Sequence, residues 1–259
     1  MVAYSVFSPR YNHTSGGVRV MYGLYGWLMA KGQIAFLNEH PVEIPHVAIY
    51  PEIYPPENPT KAKKVVRYIL NKPGLVSAID SQGNATPGPL TFPPEDEIYV
   101  FSEMFNTMGV DEAHHLFLPI LDLHLWKDYG KKRTKRAYFV GKGDNLNLHP
   151  PDCVRITRAM CGDQQWLADT LNECEVMYQY DPVSAMSEIA RLCGCKVVYL
   201  NNDYSREDYL NKYEPGINGM SFDGDENVPF DPEGFRSHYK SMRNQFSRKL
   251  DHFIADTQV

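Results

Sequence analysis

Between Asp163 and Leu200 the hydrophobic period switches repeatedly between helical and extended, and this alternation constrains the fold more than any other feature. Asp163 suits the N-cap of a helix reaching Asn172, and Glu175 to Gln179 reads as a strand. Val183 to Cys193 then reads as a helix closed by Gly194, and Lys196 to Leu200 as the next strand. Strands separated by single helices need crossover connections. Right-handed crossovers lay the strands parallel in an open sheet covered by helices.

The same cadence fills the first half. Val2 to Phe7 reads as a strand and Ser8 to Gly17 as a polar loop. Val18 to Lys31 follows as a helix, with Val20, Leu24, Trp27 and Leu28 at helical spacing and Gly32 as its C-cap. Gln33 to Leu37, Val47 to Tyr50 and Ile98 to Phe101 read as further strands, and Pro59 to Leu70 as a helix with Lys61, Lys63, Lys64 and Arg67 on its wet side. The tract Lys127 to Arg136, dense in Lys and Arg, has almost nothing to bury and reads as a connector. Beyond it come a strand at Ala137 to Val140, a Gly141-Lys142-Gly143 turn, a strand at Val154 to Thr157 and a final amphipathic helix from Pro232 to Ala255. The expected class is α/β, with a Rossmann-like domain over 1–125, a basic linker over 126–136 and a second Rossmann-like domain over 137–259 that ends in the helix.

A chain of 259 residues is long enough for two such cores. Its net charge of −6 gives no global cationic field, which argues against a nucleic-acid partner. The longest apolar runs fall short of the roughly 20 residues that a bilayer span needs, and Met1 leads into a strand-like run rather than a basic and apolar leader. A cytoplasmic location is expected, with contact between 127–136 and anionic lipid headgroups as an alternative to a solvated hinge. The five cysteines are odd in number and lack paired CxxC spacing, so Cys174, Cys193 and Cys195 read as buried thiols ahead of a metal site.

Open α/β sheets bind ligands beyond the carboxyl ends of their strands, and three loops there carry suitable chemistry. Ser15-Gly16-Gly17 opens a helix with free amides, either as an anion site or as a tight turn. Gly141-Lys142-Gly143 ends a strand with a mobile cation between two residues that leave space, although the P-loop spacing is absent. Tyr180 to Glu188 places Ser184 in the first turn of a helix and Glu188 four residues on, where a carboxylate can take ribose hydroxyls. His13 is placed as a base or acceptor contact, and Glu103 shares that logic. Asp223-Gly-Asp225 has the form of a metal-binding acidic pair but reads better as a solvated turn, and His114-His115 cannot share one helix face.

The stretch Cys174 to Leu200, CEVMYQYDPVSAMSEIARLCGCKVVYL, resembles the sugar-nucleotide signature of retaining group 1 glycosyltransferases of the GT-B fold. Ser15 to Gly17 and Phe139 to Gly143 match that architecture in order and distance. The resemblance implies two Rossmann-like domains facing across a cleft, with an acceptor-side N-terminal domain and a C-terminal domain for the donor nucleotide. It implies transfer from a nucleotide diphosphate sugar to a saccharide or lipid-linked acceptor without a metal. Glu188 would bind ribose, Ser184, Gly141 and Lys142 the diphosphate, and Gly16 and Gly17 would admit the donor. His13, Lys142 and Asp181 stand nearest the reacting centre. The sequence departs from the family where Tyr180 and Asp181 replace the first of two glutamates and Pro182-Val183 replaces a Gly-Phe-Gly stretch. A non-catalytic sugar-nucleotide-binding or assembly subunit and a sugar-nucleotide epimerase therefore stay open as alternatives.

Overall fold

A computed structural model describes residues 2–76, 78–79, 85–144, 146–201 and 203–258. The strands are β1 (Ala3–Val6), β2 (Ala35–Leu37), β3 (His46–Pro51), β4 (Lys64–Ile69), β5 (Ala78–Ile79), β6 (Ala85–Thr86), β7 (Glu97–Val100), β8 (Lys135–Phe139), β9 (Val154–Ile156), β10 (Cys174–Gln179), β11 (Lys196–Tyr199) and β12 (Met220–Ser221). The helices are α1 (Gly16–Ala30), α2 (Gln164–Asn172), α3 (Ala185–Leu192), α4 (Arg206–Lys212) and α5 (Pro232–Thr257). They form two compact units, unit 1 comprising Met1–Ile120 with Met242–Val259, and unit 2 comprising Leu121–Ser241.

Unit 1 holds a five-stranded parallel sheet in the order β2-β1-β3-β4-β7. Residues of β1 and β3 are buried along their whole length, as strands covered on both faces must be. Val20, Met21, Leu24 and Leu28 of α1 join Phe246, Leu250 and Phe253 of α5 in one core with Tyr4, Val6, Val47 and Ile49. A smaller cluster of Ala48, Tyr50 and Val65 is covered by Phe7, Tyr54 and Ala62.

Unit 2 repeats the plan with a parallel sheet ordered β12-β11-β10-β8-β9. Tyr199 meets Tyr209 of α4 on one side, while Tyr138, Val176, Tyr178 and Val198 form a cluster with Cys153 and Leu200. In both sheets the first strand has its sequence successor on one side and the third strand on the other. The strand order therefore reverses at β1/β3 and at β8/β10.

Three expectations need correction. The helix read over Pro59 to Leu70 is strand β4, whose Val65 to Ile69 are all buried between β3 and β7. Arg67, assigned to the wet side, is 0% exposed. Its guanidinium pairs with Asp96 at 2.7 Å, donates to the Pro55 and Pro56 carbonyls at 2.8 and 2.6 Å, and lies against the Tyr50 and Phe92 rings. That set of partners lets a cation sit inside a β-branched strand. The tract 126–136 lies within unit 2 rather than between units. Arg133 donates to the carbonyls of Leu171, Cys174 and Cys193, Lys131 pairs with Asp169, Lys135 with Glu173 and Arg136 with Glu226. Finally, the last stretch of the chain, 242–259, belongs to unit 1, so unit 2 interrupts it. Among the described residues no helix is long and apolar enough to cross a membrane.

Candidate functional site

The β8/β10 reversal is the position at which open α/β sheets take ligands. Two loops leave the sheet there. From β8 the chain turns through Gly141, at φ +60°, then Lys142 and Gly143. From β10 it runs through Tyr180 to Ser184 into α3. The loops interlock: a Cβ on Gly143 would overlap the Tyr180 carbonyl, and one on Gly141 would overlap the Asp181 carboxylate. Both glycines are thus required by contact, and Gly141 by its left-handed backbone as well.

Asp181 is 2% exposed. Its Oδ2 accepts from the Lys142 N–H at 3.2 Å, and its Oδ1 faces Lys142 Nζ at 3.7 Å without a hydrogen bond. Burial pushes this carboxyl above the usual carboxylate range, and the Lys142 charge opposes the rise. Lys142 Nζ also donates to the Val183 carbonyl at 3.4 Å, which carries the ammonium toward the start of α3. The helix begins one residue after Ser184, not at Val183, because Ser184 is its N-cap and its Oγ accepts from the Met186 N–H at 3.3 Å. The Tyr209 hydroxyl donates to the Pro182 carbonyl and fastens the loop to α4.

Glu188 lies one turn into α3 and is 8% exposed. Its Oε1 accepts from the Tyr213 hydroxyl at 3.2 Å, and the Ser187 Oγ lies 2.9 Å from the same hydroxyl. The buried Arg191 donates to the carbonyls of Ser187, Gly216 and Asn218 and stacks over Phe235 at 4.0 Å. The acid is therefore set in a rigid polar layer beneath the loop.

Sequence reasoning passed over a second layer. The Tyr180 hydroxyl accepts from the Leu148 N–H at 2.9 Å and lies 2.8 Å from His149 Nδ1. The His149 ring stacks on Tyr138 with centroids 3.8 Å apart. Burial lowers the His149 pKa from its ordinary value. The signal that could have found this histidine is its place in the first loop after the first strand of the second sheet.

Gly141, Lys142, Asp181, Ser184 and Glu188 thus gather at one end of unit 2. His13, Gly16 and Gly17 lie in unit 1. His13 is exposed in the loop after β1, where the Asn12 side chain accepts from the Thr14 N–H and Oγ1. Gly16 opens α1 behind the N-cap Ser15, and a Cβ on Gly17 would only touch Leu70 at 3.4 Å. Glu103 Oε2 faces His115 Nε2 at 2.8 Å, and His114 pairs with Asp111 at 2.7 Å. Asp223 Oδ1 accepts from the Ser221 hydroxyl and the Asp225 N–H, as in a turn. Cys174, Cys193 and Cys195 are free and buried, and burial pushes the first two thiols up to about 11 and about 12. Among the described residues no group of three His, Cys, Asp or Glu side chains is placed to hold a metal ion.

The arrangement sets the positive end of a capped helix beside a lysine, with the Glu188 carboxylate held one turn deeper by Tyr213. No family model and no curated protein sequence matches this chain.

Proposed function

We propose that the protein is a glycosyltransferase of the GT-B kind that takes a nucleotide diphosphate sugar at the β8/β10 edge of unit 2. On this reading unit 1 serves a saccharide or lipid-linked acceptor. The observation that carries the reading is the convergence of Lys142 and the Ser184-capped start of α3 at the strand reversal. A diphosphate there meets the positive end of α3 and accepts from Lys142, while Glu188 accepts from the ribose hydroxyls. As the bond from the anomeric carbon to the diphosphate breaks, negative charge grows on the leaving phosphate, and the helix end and the ammonium stabilise it without a metal. The acceptor oxygen forms the new bond, and its proton passes to the phosphate oxygen that leaves. Asp181, sealed beneath the turn, positions Lys142.

The test is nucleotide release from a panel of nucleotide diphosphate sugars with saccharide and lipid-linked acceptors. Lys142→Ala is expected to lower kcat/KM by about 100-fold, the magnitude of removing one charge-stabilising donor. No thermal shift with any nucleoside diphosphate, or the same release rate in that variant, overturns the reading. The pairing of Lys142 with Asp181 favours a second reading, a non-catalytic sugar-nucleotide-binding subunit. Tight donor binding with no release across the panel would select it.

A further inference from the structure

The Tyr180 hydroxyl accepts from the Leu148 N–H, and among the described residues the one acceptor for its own proton is His149 Nδ1. The ring proton of His149 is then on Nε2. Tyr138 covers one face of the ring at 3.8 Å, and Tyr180 meets it edge-on at 5.7 Å, so its orientation is fixed. Tyr138 and Tyr178 are register partners on β8 and β10, which puts the ring over the two strands whose carboxyl ends bear Lys142 and Ser184. With Nδ1 engaged, Nε2–H is the polar atom of this half-buried ring left to meet a ligand.

We propose that His149 binds the ligand of unit 2, its Nε2–H donating to a phosphate oxygen of the diphosphate, with Tyr180 as the positioning residue that sets the tautomer. The proposal rests on the donor site described above and adds a neutral donor to it. Burial disfavours the imidazolium, so the ring donates without adding charge. Tyr180 thereby acquires a purpose where an acid is absent. Its hydroxyl holds a hydrogen-bond donor in place instead of contacting the sugar with a carboxylate.

The experiment uses the whole protein and inorganic pyrophosphate, the chemistry common to all such donors. Nitrogen-detected NMR of the histidines should find His149 as the Nε2–H tautomer, and pyrophosphate should shift that nitrogen. Calorimetry should show His149→Ala weakening pyrophosphate about tenfold, the size of one hydrogen bond to a charged group, with His149→Gln recovering most of the loss. Tyr180→Phe should move His149 toward the Nδ1–H form and weaken pyrophosphate to a similar degree, a tautomer change that a packing role would not produce. Pyrophosphate affinity unchanged in His149→Ala, or an Nδ1–H tautomer in the wild type, overturns this inference alone. Absence of binding by pyrophosphate and by every nucleoside diphosphate overturns the proposed function and this role with it.

Discussion

Asp181 concentrates two opposing effects in one side chain. Burial disfavours its charge, the Lys142 ammonium favours it, and burial is the larger. A carboxyl whose pKa is raised by folding contributes stability below its unfolded value and loses it as pH rises through the folded one. Asp181→Asn, which can still accept from the Lys142 N–H, should therefore gain stability over the wild type as pH rises from 4 to 7.5. Thermal melts at the two pH values check this, with a larger difference at 7.5. Gly141→Ala forces a side chain into the left-handed region, at about 1–2 kcal/mol, and into the Asp181 carboxylate. It should lower the urea midpoint and weaken pyrophosphate. Residue chemistry at this edge was legible in the sequence, because Gly141, Lys142 and Ser184 advertise open amides and charge by type alone. Two matters were not. Glu188 is set by Tyr213, 25 residues on, and His149 gains significance only through Tyr180.

Among the elements, α3 was legible from its period and from Gly194, at φ +79°, which ends it. Its start was misplaced because Pro182 can open a helix, whereas Ser184 supplies the cap. Ser184→Ala should cost about 1 kcal/mol in urea unfolding. Ser184→Asp should keep the cap but weaken pyrophosphate through like charge, which separates stability from binding. Strand β4 was not legible, since basic residues at 61, 63, 64 and 67 mimic a solvated helix face. Only tertiary partners, Asp96 and the carbonyls of 55 and 56, make Arg67 a core residue. The cationic tract misled for a related reason. Arg133 satisfies carbonyls at the end of α2, the start of β10 and the end of α3. Arg133→Ala should cost about 3 kcal/mol, read as a lowered urea midpoint, whereas a solvated hinge would lose almost nothing.

At the scale of the whole molecule, the alternation of strands and helices announced two parallel sheets, yet it did not tell which unit each stretch joins. That depends on where the apolar stripe of α5 packs. Its Phe235 and Tyr239 lie in unit 2, and its Phe246, Leu250 and Phe253 belong to the core of unit 1. Phe253→Ala should cost about 3–5 kcal/mol in chemical unfolding, since Phe253 contacts Tyr4 and Tyr99. The closure extends to the ends of the chain. Tyr4 shares a hydrogen bond with Thr257 at 2.7 Å, and Gln258 bonds to both backbone groups of Val2. A ribosome releases 2–120 long before 242–258, so the first sheet has α1 but lacks Phe246, Leu250 and Phe253 of its core while the intervening 121–241 emerge. The unit whose first strand leaves the ribosome earliest is thus the one whose core is completed last.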